Sequence, residues 1–566
     1  MSITGLRKRV GPYDRGTFRA DVIAGVTVSA LVIPKALGYA GIALVPIEQG
    51  LYAAAVGAIV YALLGSSRQI STGPSSALAA VAAATVVTTG VPAEDAPAVV
   101  AAVTIGSGVM FLALAVFRMG WVSRFLSKAV ITGFLFGAAI EVVVGEVSKI
   151  TGSPGSGDNA WRRLGDWIRH LDEFDSTTLV VGLAAIASVL ALRFVAPRVP
   201  GALVLVVGGL AASVLFELED RGVATVGEVP RGLPTFELPT LELISDHYRT
   251  ILVASLALLL IGFSQTAGDA RMFAGRRGYR IDIEQEALAQ GVANVGAGAL
   301  QGMPVSTSLS ASSLNDSSGA RTQVASLMTG AVVVGTLFVL APLFSELPTP
   351  VLGAVIIDAV VFGMIDLAEM RRLHRVSRFD FWVAVAAILG VLSAGVLAGV
   401  VIGVVLSLGW LVYVSARPAV PELGRRQGTT AFWSVDDHPD ATTYPGVFVV
   451  RFDAGLYFVT TEVLEDRLRD AVRGADPSIR EVVVDFGGVN FIDSQGTGTV
   501  DRLLATGEAI GVGLRLARVK PDVRSMLEAD GVAARLGPAR FHTNLDEAVD
   551  AAVSSLPAEG ESPDVH

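Results

Sequence analysis

The chain contains no cysteine, only six histidines and few charged residues. Without cysteine it can form no disulfide, carry no thiol nucleophile and offer no thiolate to a metal. Charged residues make up 17% of the 566 residues, whereas a soluble domain contains about 25%. Hydrophobic residues make up 52%, and the mean hydropathy is +0.58. This composition excludes a disordered chain, a collagen-like fibre and a basic nucleic-acid-binding protein, and it predicts that much of the chain lies in lipid.

Charge is distributed unevenly along the chain. The net charge is −10, and residues 421–566 hold 24 acids and 14 bases, which accounts for all of it. Residues 1–420 hold 29 acids and 29 bases and are neutral. A neutral apolar first part followed by an acidic last part predicts two bodies in different solvents.

Long apolar runs fill the first 420 residues. A helix that crosses a bilayer needs about 20 mainly apolar residues. Uncharged runs occupy 49–67, 69–93, 96–117, 176–192, 199–216, 251–268, 287–315, 322–345 and 381–416, and runs with one charge occupy 22–47, 129–145 and 347–365. The run 381–416 is long enough for two helices, and with short broken segments included the sequence predicts about fourteen spans.

Loop charges orient these spans. Arginine and lysine concentrate in cytoplasmic loops of membrane proteins. Basic clusters lie at 7–19, 118–128, 193–198, 271–280, 371–378 and 425–426. With the N-terminus inside, each cluster follows an even number of spans, so both termini are predicted to be cytoplasmic in a multi-pass protein of the plasma membrane.

The pattern changes near Gly446. Short β-rich runs alternate with helical patterns from there to about residue 556, which predicts a small α/β domain. Residues 421–445 are polar and contain two prolines, so they are interpreted as a linker. Residues 557–566 are predicted to be a disordered tail.

Two polar stretches of small residues interrupt the apolar pattern, at 71–76 and 306–313. They fall in the third and tenth spans, the spacing of two seven-span repeats. Hydroxyl-rich helix starts inside a membrane indicate broken helices, whose free N–H groups can face an anion, and transporters place such half-helices in matching positions of inverted repeats. The alternative is that serine and threonine only hold neighbouring helices together.

Four charges lie within or next to apolar runs. Charges in lipid are expensive and are usually functional or paired. Lys35 lies in the middle of the first span, so a functional role is favoured. Asp269 directly follows the 251–268 run, and both a functional role and a structural, paired role stay open for it. Glu141 and Asp358 are predicted to have structural, hydrogen-bonded roles.

Four motifs in this order resemble the SulP sulfate permeases, relatives of the prestin-type anion transporters. The motifs are PKALGYA at 34–40, LGSSRQISTGP at 64–74, SLSAS at 308–312 with GART at 319–322, and residues 482–496 with their Ile-Asp-Ser. The last is similar to a STAS domain. The resemblance implies an all-α membrane domain of fourteen spans in two inverted repeats, divided into core and gate, and a cytoplasmic α/β STAS domain. It also implies a homodimer.

The family's anion site can be carried over to this sequence residue by residue. The resemblance implies that the substrate is bound by Lys35, Tyr39, Pro74, Ser75, Ser76, Ser310 and Ala311, and that Gln265 and Asp269 belong to the coupling-ion site. Many relatives have arginine in place of Ala311, glutamine in place of Lys35 and an acid in place of Gln265. We therefore hypothesise that Lys35 supplies the positive charge missing at 311. Asp269 is predicted to be the proton- or sodium-linked group and a partner of Lys35.

These observations predict secondary active transport of a small inorganic anion by alternating access coupled to H⁺ or Na⁺. The resemblance to the sulfate permeases implies sulfate as the substrate. No Walker-type phosphate loop is present, and no other cofactor or metal is expected. Bicarbonate, a C4-dicarboxylate and a nucleobase stay open as substrates, although Lys35 speaks against a nucleobase. A channel or motor role is a further possibility.

A membrane regulatory protein with a cytoplasmic STAS partner is the alternative of another class. Phosphorylation at the position used by sigma-regulating relatives is excluded, because Gln495 stands where they carry serine, and Ser494 is only a weak substitute. An enzyme is not expected, because no nucleophile–base motif is present.

Overall fold

The computed structural model describes residues 14–120, 127–153, 160–170, 172–196, 199–227, 229–339, 341–474 and 479–556. The chain divides into two compact units, residues 1–407 and residues 408–566. The predicted disordered tail at 557–566 and parts of the basic clusters at 7–19 and 118–128 lie outside the described residues.

The first unit is helical. Its elements are α1 (Arg15–Ile42), α2 (Ile47–Leu64), β1 (Thr72–Pro74), α3 (Ser76–Thr89), α4 (Ala96–Val116), α5 (Lys128–Thr151), α6 (Ala160–Arg169), α7 (Ser176–Val195), α8 (Gly201–Phe216), α9 (Leu241–Asp246), α10 (Tyr248–Arg277), α11 (Ile283–Ala299), β2 (Val305–Thr307), α12 (Leu309–Ser317), α13 (Val324–Val339), α14 (Thr349–Met364), α15 (Leu367–Val376), α16 (Arg378–Ala394) and α17 (Val396–Ser415), and the unit boundary at residue 407 falls within α17. In the described residues, fourteen of these helices correspond to the predicted spans, and α6, α9 and α15 are the additional ones. Eight described helices are long and apolar enough to cross a membrane by length and composition. The predicted all-α membrane core is confirmed.

Small residues allow the helices to pack closely. The seam between α4 and α11 is an example, because Gly108 of α4 lies against the backbone of α11, while Gly291 and Gly298 lie against α4. Any side chain at these positions would separate the two helices. In lipid, where burial of apolar surface gives no drive to association, such close backbone contact is a main source of helix–helix attraction.

Two short strands interrupt the helical pattern. β1 and β2 pair antiparallel, with Thr72 opposite Thr307 and Pro74 opposite Val305. Each strand leads directly into a short helix, β1 into α3 and β2 into α12. A strand and half-helix in each half of the unit, paired antiparallel, is the arrangement expected of two inverted repeats.

The second unit carries an α/β sheet. Its elements are β3 (Leu423–Arg425), β4 (Phe432–Ser434), β5 (Val447–Arg451), α18 (Thr461–Gly474), β6 (Glu481–Asp485), α19 (Ser494–Ile510), β7 (Gly513–Ala517), α20 (Pro521–Ala529), α21 (Val532–Leu536), β8 (Phe541–His542) and α22 (Leu545–Ser554). β5, β6, β7 and β8 form a parallel sheet in that order. Parallel strands require crossover connections, and helices supply them here.

The segment 421–445 differs from its interpretation as a linker. It forms the antiparallel hairpin β3–β4. Leu423 and Phe432 are buried in one apolar cluster with Val447 and Val483 of the parallel sheet. The segment is polar on average, so its composition did not indicate that Leu423 and Phe432 pack against the α/β domain.

Candidate substrate-binding site

The site is built on the starts of the two half-helices. Ser308 N–H donates to the carbonyl oxygen of Ser71 at 3.0 Å, which extends the β1–β2 pairing to the point where α12 begins. The Ser308 hydroxyl caps α12 by accepting from Ala311 N at 3.4 Å. Ser75, the N-cap residue of α3, makes no capping bond with its side chain. The first N–H groups of a helix lack partners within the helix, so these starts present hydrogen-bond donors and positive dipole ends.

A small cavity lies between α1 and these half-helices. It has a volume of about 20 Å³, enough for one or two water molecules, and is lined by Val32, Lys35, Ala36, Tyr39, Ser71, Gly73, Pro74, Ser308 and Ala311. The fold thus brings four of the predicted substrate-binding residues to one cavity: Lys35, Tyr39, Pro74 and Ala311. Ser75 and Ser76 lie half-buried at the start of α3 and do not line it.

Lys35 is the cation of this cavity. Its Nζ donates to the hydroxyl of Ser310 at 2.8 Å, in the first turn of α12. Within the described residues no carboxylate forms an ion pair with Lys35. A lysine ammonium beside positive helix ends is electrostatically unfavourable, and a bound anion would neutralise it. The cavity therefore has the charge and the donors of an anion site.

Gln265 and Asp269 lie on α10 and hold β2. The Gln265 Oε1 accepts from the Ser306 hydroxyl at 2.9 Å, and the Asp269 Oδ2 accepts from the Thr307 hydroxyl at 3.0 Å. Neither residue lines the small cavity. The predicted partnership between Lys35 and Asp269 is not formed, because each side chain is bound to a different hydroxyl on the segment 307–310.

A polar stripe on α11, which the sequence reasoning missed, supports both strands. Glu286, Gln290 and Asn294 are fully or almost fully buried and follow one another at intervals of four residues, so they share one helix face. Asn294 brackets Val305, donating to its carbonyl oxygen at 2.9 Å and accepting from its N–H at 3.0 Å. Gln290 donates to the Thr72 hydroxyl at 3.1 Å. The regular spacing of polar residues in an apolar helix was the available signal.

Glu286 anchors the chain that leads into β1. Its carboxylate accepts from the Tyr61 hydroxyl at 2.6 Å, from Ser66 N–H at 2.8 Å and from the Ser66 hydroxyl at 2.7 Å. A fourth donor, Ser67 N–H, lies at 3.2 Å. Buried carboxylates are tolerated when their lone pairs are satisfied in this way.

The two remaining intramembrane acids differ from one another. Asp358 of α14 accepts two hydrogen bonds from Arg193 of α7, at 2.9 and 2.8 Å, so its structural role agrees with the prediction. Glu141 of α5 was predicted to be hydrogen-bonded, but its buried Oε2 has no partner. Glu141 instead lines a separate cavity of about 180 Å³ together with Glu146, Lys149 and Arg163. The Glu141 prediction is wrong for that oxygen, because the space beside it is open.

The α/β unit contains a buried carboxylate with two arginine partners. Asp485 is fully buried and accepts from Arg451 at 2.7 Å and from Arg518 at 2.8 and 2.6 Å. Burial alone would raise the pKa of Asp485, but the hydrogen bonds from Arg518, Arg451 and Gly487 N–H outweigh it and lower that pKa below its ordinary value. Asp493 caps α19 by accepting from Gly496 N–H at 2.8 Å.

The fold is that of a polytopic helical membrane protein with a C-terminal α/β domain. The family model described as the sulfate permease family matches residues 18–387, and the STAS domain model matches residues 438–548. The chain therefore belongs to the sulfate permease family and carries a STAS domain. It is a transporter and not an enzyme, and the resemblance predicted from its motifs is confirmed.

Relatives of known name agree with this assignment. A protein named probable sulfate transporter from Mycobacterium tuberculosis is 32% identical over 541 residues, covering 95% of this chain and 96% of its own length. Sulfate transporter 4.1, chloroplastic, from Arabidopsis thaliana is 29% identical, covering 94% of this chain and 80% of its own length.

Solved structures share the fold. The murine solute carrier 26 family member A9 anion transporter, in its inward-facing state, superposes with a TM-score of 0.87 at 22% identity, covering 96% of this chain and 92% of that chain. The transmembrane domain of the cyanobacterial bicarbonate transporter BicA superposes with a TM-score of 0.61 at 20% identity, covering 70% and 99%.

Proposed function

We propose that this protein transports sulfate across the membrane by secondary active transport. The observation that carries the proposal is the Lys35 ammonium, which has no carboxylate partner among the described residues and lies against the start of α12 in the same cavity as the β1 backbone. Sulfate offers the compact, delocalised negative charge that an ammonium, hydroxyls and helix N–H groups bind well. The sulfate transporters named above, similar over nearly the whole chain, support the choice of substrate.

In the proposed cycle, Lys35, Tyr39 and Ser310 bind the anion with Pro74, Ser75, Ser76 and Ala311. The half-helix starts supply backbone donors, and Lys35 takes the place of a cation at 311. A cavity of about 20 Å³ is smaller than sulfate, so binding requires the helices that line it to move, as the division into core and gate implied by the resemblance would allow. That movement is the alternating access of the proposal.

Coupling is assigned to Asp269. Its carboxylate accepts from Thr307, one residue before the cap of α12, so a proton or Na⁺ at Asp269 would alter the support of that half-helix. Gln265 holds the neighbouring Ser306 and completes this second site. An inward H⁺ or Na⁺ gradient then drives uptake of the anion.

Replacing Lys35 with glutamine tests the proposal. A hydrogen bond to a charged group contributes about 1.5–3 kcal/mol. The initial rate of sulfate uptake at low sulfate concentration should therefore fall about 10- to 100-fold in the Lys35→Gln variant. The measurement is uptake of radiolabelled sulfate into proteoliposomes. Lys520→Gln is the matched control, because Lys520 belongs to the α/β unit and its ammonium contacts Asn490, not a residue of the cavity.

Three results would contradict this assignment or change a part of it. Equal and small effects of Lys35→Gln and Ala311→Ser would show that Lys35 does not supply the site's charge. Competition by bicarbonate or fumarate that exceeds competition by unlabelled sulfate would replace sulfate with another anion while leaving the transport proposal intact. Uptake that stops only on removal of the STAS domain would favour the regulatory alternative.

The setting of the protein is part of the proposal. We assign it to the plasma membrane as a homodimer, with both termini in the cytoplasm. The positive loops named above support this orientation. A cytoplasmic partner of the STAS domain completes the proposed assembly.

A further inference from the structure

The helix α15 is docked against the membrane helices along one side only. Leu373 is buried with Ala129 of α5 and Ala384 of α16. Glu369, on the same side, accepts from Arg372 and forms an ion pair with Lys128 at 3.1 Å. On this side of α15 the apolar side chain is therefore buried and the charged side chain is paired.

The other side of α15 carries unpaired arginines. Arg371 and Arg375 are four residues apart and share a helix face, and Arg378 begins α16 beside them. All three are exposed, and none forms an ion pair or a side-chain hydrogen bond within the part of the chain that the structure describes. Arg372, one residue from Arg371, is paired with Glu369, so the absence of partners is specific to this face.

These arginines border an open cavity of about 680 Å³ that also has apolar walls. It is lined by Leu367, Met370, Arg371, His374, Arg375, Val376, Arg378 and Phe381. Leu367 and Val376 are 53% and 70% exposed. Trp382, 64% exposed near the start of α16, lies next to Phe381. Tryptophan at the start of a membrane helix is typical of the headgroup level of a bilayer.

We propose that this cavity binds the phosphate headgroup of an anionic phospholipid from the cytoplasmic leaflet. Guanidinium groups bind phosphate with two parallel hydrogen bonds, and three of them face one cavity. The exposed Leu367 and Val376 decide between a lipid and a soluble phosphate compound, because acyl chains would cover them whereas a soluble ligand would leave them in water. The anionic cytoplasmic leaflet supplies such lipids, so the inference rests on the proposed cytoplasmic position of this loop.

A lipid bound here would fasten α15 to the membrane surface. Since α15 is held to the starts of α5 and α16 by Lys128 and by Leu373, the bound headgroup would fix the position of these two helices at one membrane face. Anionic lipid is thereby expected to influence transport without contacting the substrate cavity.

The test is native mass spectrometry of the full, delipidated chain titrated with phosphatidylglycerol or with phosphatidylcholine. A basic residue near an anionic surface contributes about fivefold in affinity, so the Arg371→Gln/Arg375→Gln/Arg378→Gln variant should lose about a hundredfold in its tightest phosphatidylglycerol binding. Phosphatidylcholine binding should not change. Arg372→Gln, which removes the same charge from the docked side, should bind phosphatidylglycerol like the unaltered protein.

Three results would overturn the proposal. One is equal phosphatidylglycerol affinity of the triple variant and the unaltered chain. Another is equal loss in Arg372→Gln and in Arg375→Gln, which would indicate a response to net charge alone. The third is displacement of the lipid by inorganic phosphate at constant ionic strength, which would assign the cavity to a soluble phosphate compound. Lipid binding is measured here without transport. Failure of the protein to transport sulfate would therefore leave the conclusion about lipid binding unchanged.

Discussion

At the scale of single residues, the site separates two charges that the sequence suggested as a pair. Lys35 donates a hydrogen bond to the Ser310 hydroxyl, and Asp269 accepts one from the Thr307 hydroxyl. An ion pair would neutralise Lys35 and remove the attraction for an anion. In the proposed mechanism, a carboxylate held against β2 and an ammonium held at the start of α12 would let a cation and an anion act on one half-helix.

This separation predicts the effect of Asp269→Asn. The amide cannot exchange a proton or bind a cation strongly, so sulfate uptake should persist downhill but no longer respond to an imposed gradient. One coupled proton supports about tenfold accumulation for a pH gradient of about one unit, and the variant should lose that accumulation. Proteoliposomes with imposed pH or sodium gradients provide the measurement.

Asp316→Asn serves as the control for this experiment. Asp316 lies at the end of α12 and pairs with Arg277 of α10, and it does not contact β2 through this pair. It should keep the full dependence on the gradient. Cation-dependent accumulation that survives in Asp269→Asn would remove Asp269 from the coupling mechanism.

At the scale of elements, Lys35 depends on the contact between α1 and α2. A side-chain carbon at Gly50 of α2 would overlap the carbonyl group of Ala36, the residue after Lys35. Overpacking of this kind is destabilising by about 1–3 kcal/mol, and more where backbone is hit. Gly50→Ala should therefore lower the thermal stability of the protein and reduce sulfate uptake by displacing Lys35.

Gly335 of α13 provides a matched control, because no atom lies within 4 Å of the position that its side-chain carbon would take. Alanine is the better helix former by about 1 kcal/mol, so Gly335→Ala should be neutral or slightly stabilising. Similar losses in both variants, measured by scanning fluorimetry and by uptake, would mean that the α1–α2 contact has no special role.

The elements also show which features of the fold the sequence predicts and which it does not. Hydropathy predicts the spans, and the hydroxyl-rich stretches at 71–76 and 306–313 predict the broken helices, because both signals are local. The β1–β2 pairing joins residues more than 200 positions apart, and its register depends on contacts that no local period encodes. The support of β2 by Asn294 was missed for the same reason, although the spacing of Glu286, Gln290 and Asn294 indicated a buried polar face. The hairpin at 423–434 was missed because its burial depends on the sheet that follows it.

At the scale of the whole molecule, the uneven charge of the sequence corresponds to two units with separate apolar cores. Asp485 belongs to the core of the second unit alone, where it forms ion pairs with Arg451 and Arg518. The pKa of Asp485 is lowered in the folded state, so its stabilising effect is fully present above the pKa of an unfolded aspartate, about 3.9. That effect is lost as the pH falls through the lower pKa of the folded state. Near neutral pH the contribution of Asp485 is therefore constant.

Asp485→Asn should consequently separate the two units in a calorimetric experiment at neutral pH. Breaking a buried ion pair by removing one partner costs about 3 kcal/mol, and here it leaves two arginines without their shared carboxylate. The full chain should melt in two transitions, of which Asp485→Asn lowers one, while the transition that sulfate raises stays in place. Arg524→Gln, which breaks only the exposed pair with Glu528, should move neither by more than the small effect of a surface ion pair. A single transition that shifts as a whole in Asp485→Asn would mean that the two cores unfold as one cooperative body, and the charge asymmetry of the sequence would then mark solvent exposure without marking independent stability.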